Sequence, residues 1–178
     1  MTRRKLFPIV LIWIVAIFSG ATFAVHAQAA ASQPEALLRA PEAAKLLPDA
    51  VFFRGQSAST QARNSGGVRY ADGMFVLTTL VDNSGYSTGI QQKYQAYLIT
   101  EVTLNIGGNK LAPGAYGVGI VGDHFGVMDI AAHDLFQVAT VKDAQLHRPT
   151  PLQVVAGDGP GKYRLYFGRD YVTFERAQ

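Results

Sequence analysis

Short apolar runs alternate with clusters of glycine, asparagine, aspartate and serine from Asp49 to the end of the chain. The runs are rich in β-branched and aromatic residues and recur at roughly ten-residue spacing, a pattern typical of strands separated by turns. In KYRLYF (162–167) the apolar residues alternate with Arg164 and Tyr166, as expected of a half-buried strand. The segment GRD then links this run to YVTFER, which predicts a hairpin.

About ten such strands and one short helix predict a single all-β domain over residues 49–178, folded as a β-sandwich of the jelly-roll or immunoglobulin-like type. A small closed barrel is the alternative with the same strand pattern. The segments RNSGG (63–67) and GDGPGK (157–162) are predicted to be loops, and neither is long enough to link two domains.

Residues 28–48 differ from the rest of the chain, because they are rich in alanine and interrupted by prolines. Pro41 suits the first turn of a short helix over PEAAKLL (41–47), and Ser32 with Glu35 has the spacing of a capping box. This segment is predicted to be a mobile leader that contains one or two helical turns.

Residues 1–27 have the organisation of a secretory signal peptide. Basic residues at 3–5 precede an apolar run over 6–18, and Val25 and Ala27 fit the small-residue positions of a cleavage site. The run is shorter than the roughly 20 residues of a membrane span, so we expect cleavage after Ala27 rather than retention as an anchor. TRRKLF also resembles a twin-arginine signal, but the strongly apolar run favours Sec export to the periplasm or beyond.

Charge and cysteine content limit the partners, the cross-links and the chemistry that can be expected of this chain. The chain has 16 basic and 13 acidic residues, and three of the basic ones lie in the signal, which leaves the mature chain formally neutral. The charge therefore gives no reason to expect nucleic acid as a partner. The absence of cysteine excludes disulfides, thiolate chemistry and a lipid anchor on cysteine, so no stable membrane attachment is expected after cleavage.

The stretch GVGIVG (117–122) has the G-x-G-x-x-G spacing of a dinucleotide-binding loop. That loop works between a strand and a helix, and here a Pro-Gly turn precedes the match while a glycine-containing, β-branched run follows it. We therefore predict a hairpin of strands 115–121 and 125–130, and no cofactor. Gly117 and Gly119 would share one face of the first strand, against which a strand, the leader helix or a ligand packs closely.

A second motif, GYSTG (85–89), has the G-x-S-x-G pattern of a hydrolase nucleophile. A strand precedes Ser87, but three polar residues intervene, and the chain lacks the alternating helices of that fold. A flexible loop is the main interpretation. A hydrolase that uses Ser87, with Asp129 and His133 following in the required order, is the alternative.

Oxygen and imidazole groups that could bind a divalent metal crowd one region: Asp123, His124, Asp129, His133 and Asp134. A strand rises about 3.3 Å per residue, which separates the two histidines too widely to share one ion. Solvated turn residues are therefore the main interpretation, and a metal near His124 and Asp129 is the alternative.

Tyrosines are spread over several predicted strands, as the core and rim of a sandwich require. The alternative is a binding face that combines tyrosines with Arg164 or Arg169, although no regular spacing of these residues points to it.

The C-terminal half resembles exported bacterial β-sandwich domains of unknown function, in which an L-x-x-G-x-Y turn opens a strand. The residues that carry this resemblance are Leu111, Gly114 and Tyr116, with a weaker echo at Lys162, Tyr163 and Leu165. The resemblance implies a sandwich fold and export, and it supplies no catalytic residues.

The sequence as a whole favours an exported, non-enzymatic β-sandwich that acts as a binding or accessory module for a protein or small-molecule ligand. The first alternative is a barrel that carries a ligand in an apolar cavity. The second is a hydrolase that uses Ser87 or a metal near His124 and Asp129.

Overall fold

The computed structural model describes residues 34–178. The predicted signal peptide, the start of the predicted leader and Ser32 lie outside the described residues.

Two short helices and fourteen strands make up residues 34–178. In chain order they are β1 (Ala36–Leu38), α1 (Ala40–Ala43), β2 (Ala50–Phe53), β3 (Gln56–Arg69), β4 (Phe75–Val81), α2 (Thr88–Lys93), β5 (Ala96–Thr100), β6 (Leu104–Ile106), β7 (Asn109–Leu111), β8 (Gly114–Val121), β9 (His124–Met128), β10 (Asp134–Ala139), β11 (Val141–Lys142), β12 (Leu152–Ala156), β13 (Lys162–Phe167) and β14 (Asp170–Arg176).

Two antiparallel sheets pack together as a β-sandwich, which confirms the predicted all-β fold. The first sheet has the order β1-β3-β4-β5-β8-β9-β10, with β2 paired to β3. The second has the order β12-β13-β14-β6-β7, with β11 paired to β14. Only Thr140 separates β10 from β11, so the chain crosses between the sheets at that residue.

Buried apolar side chains of both sheets fill the space between them. The cluster includes Leu98, Val118 and Phe125 of the first sheet and Leu165 and Phe174 of the second. Burial of one such side chain contributes about 1.5–3 kcal/mol, so this cluster is the main source of stability for the sandwich.

The outer face of the first sheet is also covered. Tyr97 alternates along β5 with core residues and therefore points outward, where it joins Val51 and Phe53 of β2 in a second buried cluster. Ala43 of α1 packs on Leu77 in a third cluster. The outer face of the second sheet is covered in part, because Tyr166 alternates along β13 with core residues, is buried, and donates to Asp143 Oδ2 at 2.9 Å. The polar side chains described below lie elsewhere on this sheet.

Residues 36–47, assigned from the sequence to the leader, are part of the sandwich. Strand β1 pairs with Gly67–Arg69 of β3, and Leu38 and Ala43 are buried. Pro41 lies in the first turn of α1 as predicted, although the helix ends at Ala43 and continues only as a turn. Three residues are too short a run for periodicity to reveal β1.

The prediction of a loop at RNSGG (63–67) is wrong, because these residues lie inside β3, the longest strand. The pairing with β4 shifts register between Gln61 and Ser65, which marks a bulge in the polar part of the strand. Gly66 and Gly67 allow close contacts with neighbouring strands, and they do not form a turn. A Cβ on Gly66 would lie 3.2 Å from the Val154 nitrogen, and one on Gly67 would collide with the Val76 carbonyl oxygen.

Candidate functional site

The G-x-G-x-x-G stretch forms the predicted hairpin. Strands β8 and β9 pair so that Val121 lies opposite His124, and Gly122 with Asp123 forms the turn between them. Gly122 has a φ of 64°, which glycine adopts without strain. The hairpin is slightly shorter than predicted, because β9 ends at Met128 rather than at residue 130. No helix follows the glycines, so the geometry of a dinucleotide loop is not present here.

The face of β8 on which Gly117 and Gly119 lie, without side chains of their own, is covered by neighbouring side chains and backbone. A Cβ on Gly117 would lie 2.7 Å from Cζ of Phe53 and 3.0 Å from Cδ2 of Tyr94. A Cβ on Gly119 would collide with the carbonyl oxygen of Lys93, at the end of α2. The two glycines therefore admit a ring and a helix end, so the face against which a strand, the leader helix or a ligand was expected to pack is covered by Phe53, Tyr94 and the end of α2.

Four aromatic side chains form this covering cluster. The rings of Phe53 and Tyr94 stack with centroids 3.9 Å apart, and Tyr86 and Tyr97 meet Tyr94 edge-on. The Tyr86 hydroxyl donates to the carbonyl oxygen of Phe53 at 2.9 Å. Within residues 34–178 the buried hydroxyl of Tyr94 has no partner, and burial raises its pKa. These contacts give the cluster a structural role.

Ser87 is the N-cap residue of α2, so a short helix does follow the G-x-S-x-G motif. Its side chain is exposed and makes no capping hydrogen bond to the first turn of the helix. Strand β4 ends at Val81, and the polar residues before Ser87 keep it away from the tip of the strand, as the sequence indicated. A nucleophile needs a base within hydrogen-bond reach, and within residues 34–178 the Ser87 hydroxyl has no capping bond that would orient it.

The two histidine candidates belong to separate local pairs. His124 Nδ1 lies 2.6 Å from Asp123 Oδ1, and His133 Nδ1 lies 2.9 Å from Asp129 Oδ2. His124 opens β9, whereas Asp129 follows its end, so the structure does not bring His124 and Asp129 together. Within residues 34–178 no group of three or more His, Asp or Glu side chains is arranged to hold a metal ion.

Asp129 organises the turn after β9. Its Oδ1 accepts hydrogen bonds from the backbone N–H groups of Ala131 and His133, both at 2.9 Å. The bond from the His133 N–H is the main cause of the lowered pKa of Asp129, and the His133 side chain adds to it. An aspartate that accepts backbone N–H groups in this way stabilises a turn.

An open cleft of about 310 Å³ lies on the second sheet beside β14. Its floor is formed by residues 171–175 of β14. Gly107 and Gly108 of the β6–β7 turn form one wall, and Val138, Ala139 and Val141 form the other. The sequence did not point to this cleft as a whole, because its lining comes from four separate parts of the chain: residues 105–108, 138–141, Lys162 and residues 171–175.

A row of polar side chains crosses the second sheet at one end of the cleft. Glu175 lies opposite Lys162 on β13 and opposite Asn105 on β6. The Asn105 side-chain amide donates to Glu175 Oε1 at 3.1 Å, and Lys162 Nζ lies 3.9 Å from Glu175 Oε2. The Asn105 Oδ1 atom is buried with no partner among the described residues. The row therefore places a cation and an anion at the cleft.

An arginine and two tyrosines lie beside this row, as one interpretation of the sequence proposed. The Arg164 guanidinium lies 4.8 Å from the centre of the Tyr171 ring, and the rings of Tyr171 and Tyr166 are 4.8 Å apart. Arg164 also pairs with Asp158. Arg169, the other candidate, instead donates to the carbonyl oxygen of Leu146 and holds the 143–146 loop. Of the two arginines, Arg164 is the one that joins the tyrosines.

Glu175 also lines a neighbouring cleft of about 360 Å³. There Arg176 pairs with Asp72 at 2.6 Å, and its guanidinium lies 5.4 Å from the centre of the Tyr70 ring. Burial raises the pKa of Tyr70 to about 12. Glu175 therefore borders both clefts.

Comparisons with protein families, with curated proteins and with solved structures gave no match to this chain. Neither helix in residues 34–178 has the length and apolar character that crossing a membrane requires. The function is therefore inferred from the arrangement of the residues themselves.

Proposed function

We propose that the protein is an exported β-sandwich module that binds a ligand in the cleft beside β14, where the edges of its two sheets meet, and performs no catalysis. The observation that supports this most directly is the convergence of Lys162, Glu175, Asn105 and Tyr171 on one open cleft. Binding sites are typically concave and combine apolar surface with a few polar groups, and this cleft has both.

The alternatives have weaker support. A hydrolase needs a base beside its nucleophile, whereas His124 and His133 each bond to a neighbouring aspartate and Ser87 makes no capping bond. A barrel carrier needs an apolar cavity inside the fold. Large buried side chains such as Phe125 occupy the space between the sheets, and the cleft beside β14 opens on the surface.

Chemical-shift mapping tests the binding function. The purified ¹⁵N-labelled protein is titrated with a mixed set of small polar molecules and short peptides. We expect the amide signals that respond to cluster at Asn105, Tyr171 and Glu175. Responses that instead cluster around Ser87 or His124 would overturn the proposal, as would a complete absence of responses.

Variants on the cleft provide the control. Lys162→Met and Glu175→Gln each remove one charge from the polar row and are expected to weaken binding of any compound that the mapping identifies. Lys45→Met removes a charge from an exposed position outside the cleft and should have no effect. Equal effects of the Lys162 and Lys45 variants would contradict the assignment.

Export has its own test. Cell fractionation and N-terminal sequencing should find a mature chain in the periplasm or medium that begins at Gln28. An intact chain that remains with the membrane would instead show that residues 1–27 are retained as an anchor.

A further inference from the structure

Strand β14 has two short partners on one edge, and they leave a gap between them. β6 pairs with Phe174–Arg176, and β11 pairs with Asp170 and Tyr171. Within residues 34–178, Thr173 therefore has no strand partner on this edge. The gap coincides with the 310 Å³ cleft, and Thr173 lies in its floor.

The backbone groups of Thr173 point into this gap. On the β6 side, the Ala177 N–H donates to the Thr103 carbonyl oxygen at 2.8 Å. On the β11 side, the Asp143 N–H donates to the Arg169 carbonyl oxygen at 2.8 Å. Alternate residues of an antiparallel strand direct their N–H and C=O groups to the same edge. Thr173 lies four residues from Arg169 and four from Ala177, an even spacing. Its N–H and C=O therefore point to the same edge as theirs, toward the cleft.

The opposite wall presents a second free edge. The Thr140 N–H donates to the Asp123 carbonyl oxygen, toward β9, so the backbone groups of Ala139 point to the other edge. Val141 lies opposite Tyr171, and the same register continued by two residues places Ala139 opposite Thr173. The strands diverge there because the chain leaves for the first sheet. Within residues 34–178, the edge of β14 at Thr173 and the edge of β10 at Ala139 thus face one opening, with no strand paired between them.

We infer that the cleft binds an extended peptide segment of a partner protein, whose backbone forms hydrogen bonds with the N–H and C=O of Thr173. The inference rests on the proposed function, since it assigns a ligand to the same cleft. A strand edge with free donors and acceptors is the template for strand addition. Val138 and Phe174 of the lining are buried in the core, whereas Val141 is exposed and suits contact with a small apolar side chain, and Glu175 and Lys162 border the cleft with charges.

A matched pair of peptides tests this. The probe is N-acetyl-Ala-Val-Ala-N-methylamide, and its control carries a methyl group on the valine nitrogen, which removes one backbone donor. We expect the probe to shift the amide signals of Thr173, Ala139 and Gly107. The methylated peptide should bind about tenfold more weakly, as loss of a backbone hydrogen bond implies.

Two tryptophan variants complete the design. Val141→Trp fills the cleft from a side chain that is 52% exposed, and it should abolish the response. Leu46→Trp changes a residue of similar exposure, 48%, away from the cleft and should leave binding intact. Dispersed amide spectra show that each variant is folded.

The outcomes separate the two proposals. Equal binding of both peptides, or no response to the probe up to about 10 mM, overturns the peptide inference. If other compounds still bind at Tyr171 and Glu175 and are blocked by Val141→Trp, the binding function survives that result. If every response maps outside the cleft, both proposals fail.

Discussion

The ring of Phe53 lies directly on the backbone of Gly117, and this contact joins the β2–β3 hairpin to the middle of the first sheet. A Cβ on Gly117 would lie only 2.7 Å from Cζ of that ring. The ring cannot move away freely, because its other contacts include Tyr94, stacked at 3.9 Å, and Tyr86. The glycine is therefore required by packing.

Gly117→Ala is expected to destabilise the protein by about 1–3 kcal/mol, the typical cost of an added methyl group in a well-packed site. The measurement is the free energy of unfolding from chemical denaturation. Gly126→Ala is the matched control on the adjacent strand. Its Cβ would lie 3.8 Å from the Gln137 side chain, which is ordinary contact, so little change is expected. Equal costs at the two positions would contradict the packing argument.

Two buried tyrosines of the same cluster should respond differently to loss of the hydroxyl. Tyr86→Phe removes the hydroxyl that donates to the carbonyl oxygen of Phe53, with that of Gln56 also within 3.1 Å, and should cost about 1–3 kcal/mol of stability. Tyr94→Phe removes a buried hydroxyl that has no partner among the described residues, so stability should stay the same or rise. Unfolding free energies check both, and a larger loss for Tyr94→Phe would refute the assignment.

The alternation of apolar residues predicted strands such as β13 and β14 because each buries one face in the core. It failed for β3. Ala58 of that strand is buried in one cluster and Val68 in another, and the polar residues between them are held mainly by backbone pairing across a bulge. Backbone pairing leaves no hydrophobic period in the sequence, so RNSGG resembled a loop.

Only part of the cleft and its surroundings could be predicted from the sequence, because some of the contacts depend on pairing between distant strands. Tyr171 and Arg164 lie in neighbouring predicted strands, and their proximity follows from the hairpin that joins them. Asn105 and Glu175 are separated by 70 residues along the chain. Their contact depends on the pairing of β6 with β14, which no local pattern specifies.

Ser87 offers a direct test of the hydrolase alternative. The hydroxyl is exposed and makes no capping hydrogen bond, so we expect no labelling by a fluorophosphonate probe. Ser87→Ala should also leave stability almost unchanged, because no capping bond is lost. Labelling that disappears in Ser87→Ala would instead establish an activated serine.

The turn at Asp129 should make stability depend on pH in a defined direction. Its pKa in the folded protein is lowered from 3.8, chiefly because the His133 backbone N–H donates to the carboxylate. A lowered pKa means that the carboxylate stabilises the fold above pH 3.8, and that this contribution is lost as pH falls through the folded-state pKa. Asp129→Asn should therefore be less stable than the wild type at neutral pH, and the difference should shrink in acid.

The cause of this shift can be separated from the imidazole. His133→Ala removes the side chain that contacts Asp129 Oδ2 but keeps the backbone N–H that donates to Oδ1. We expect the pKa of Asp129 in this variant, measured by NMR titration of the carboxyl carbon, to remain below 3.8. A return to the ordinary value would show that the imidazole is the main cause. In that case the contact between the Asp129 and His133 side chains, and not the backbone hydrogen bonds, would be the main stabiliser of the Asp129 carboxylate.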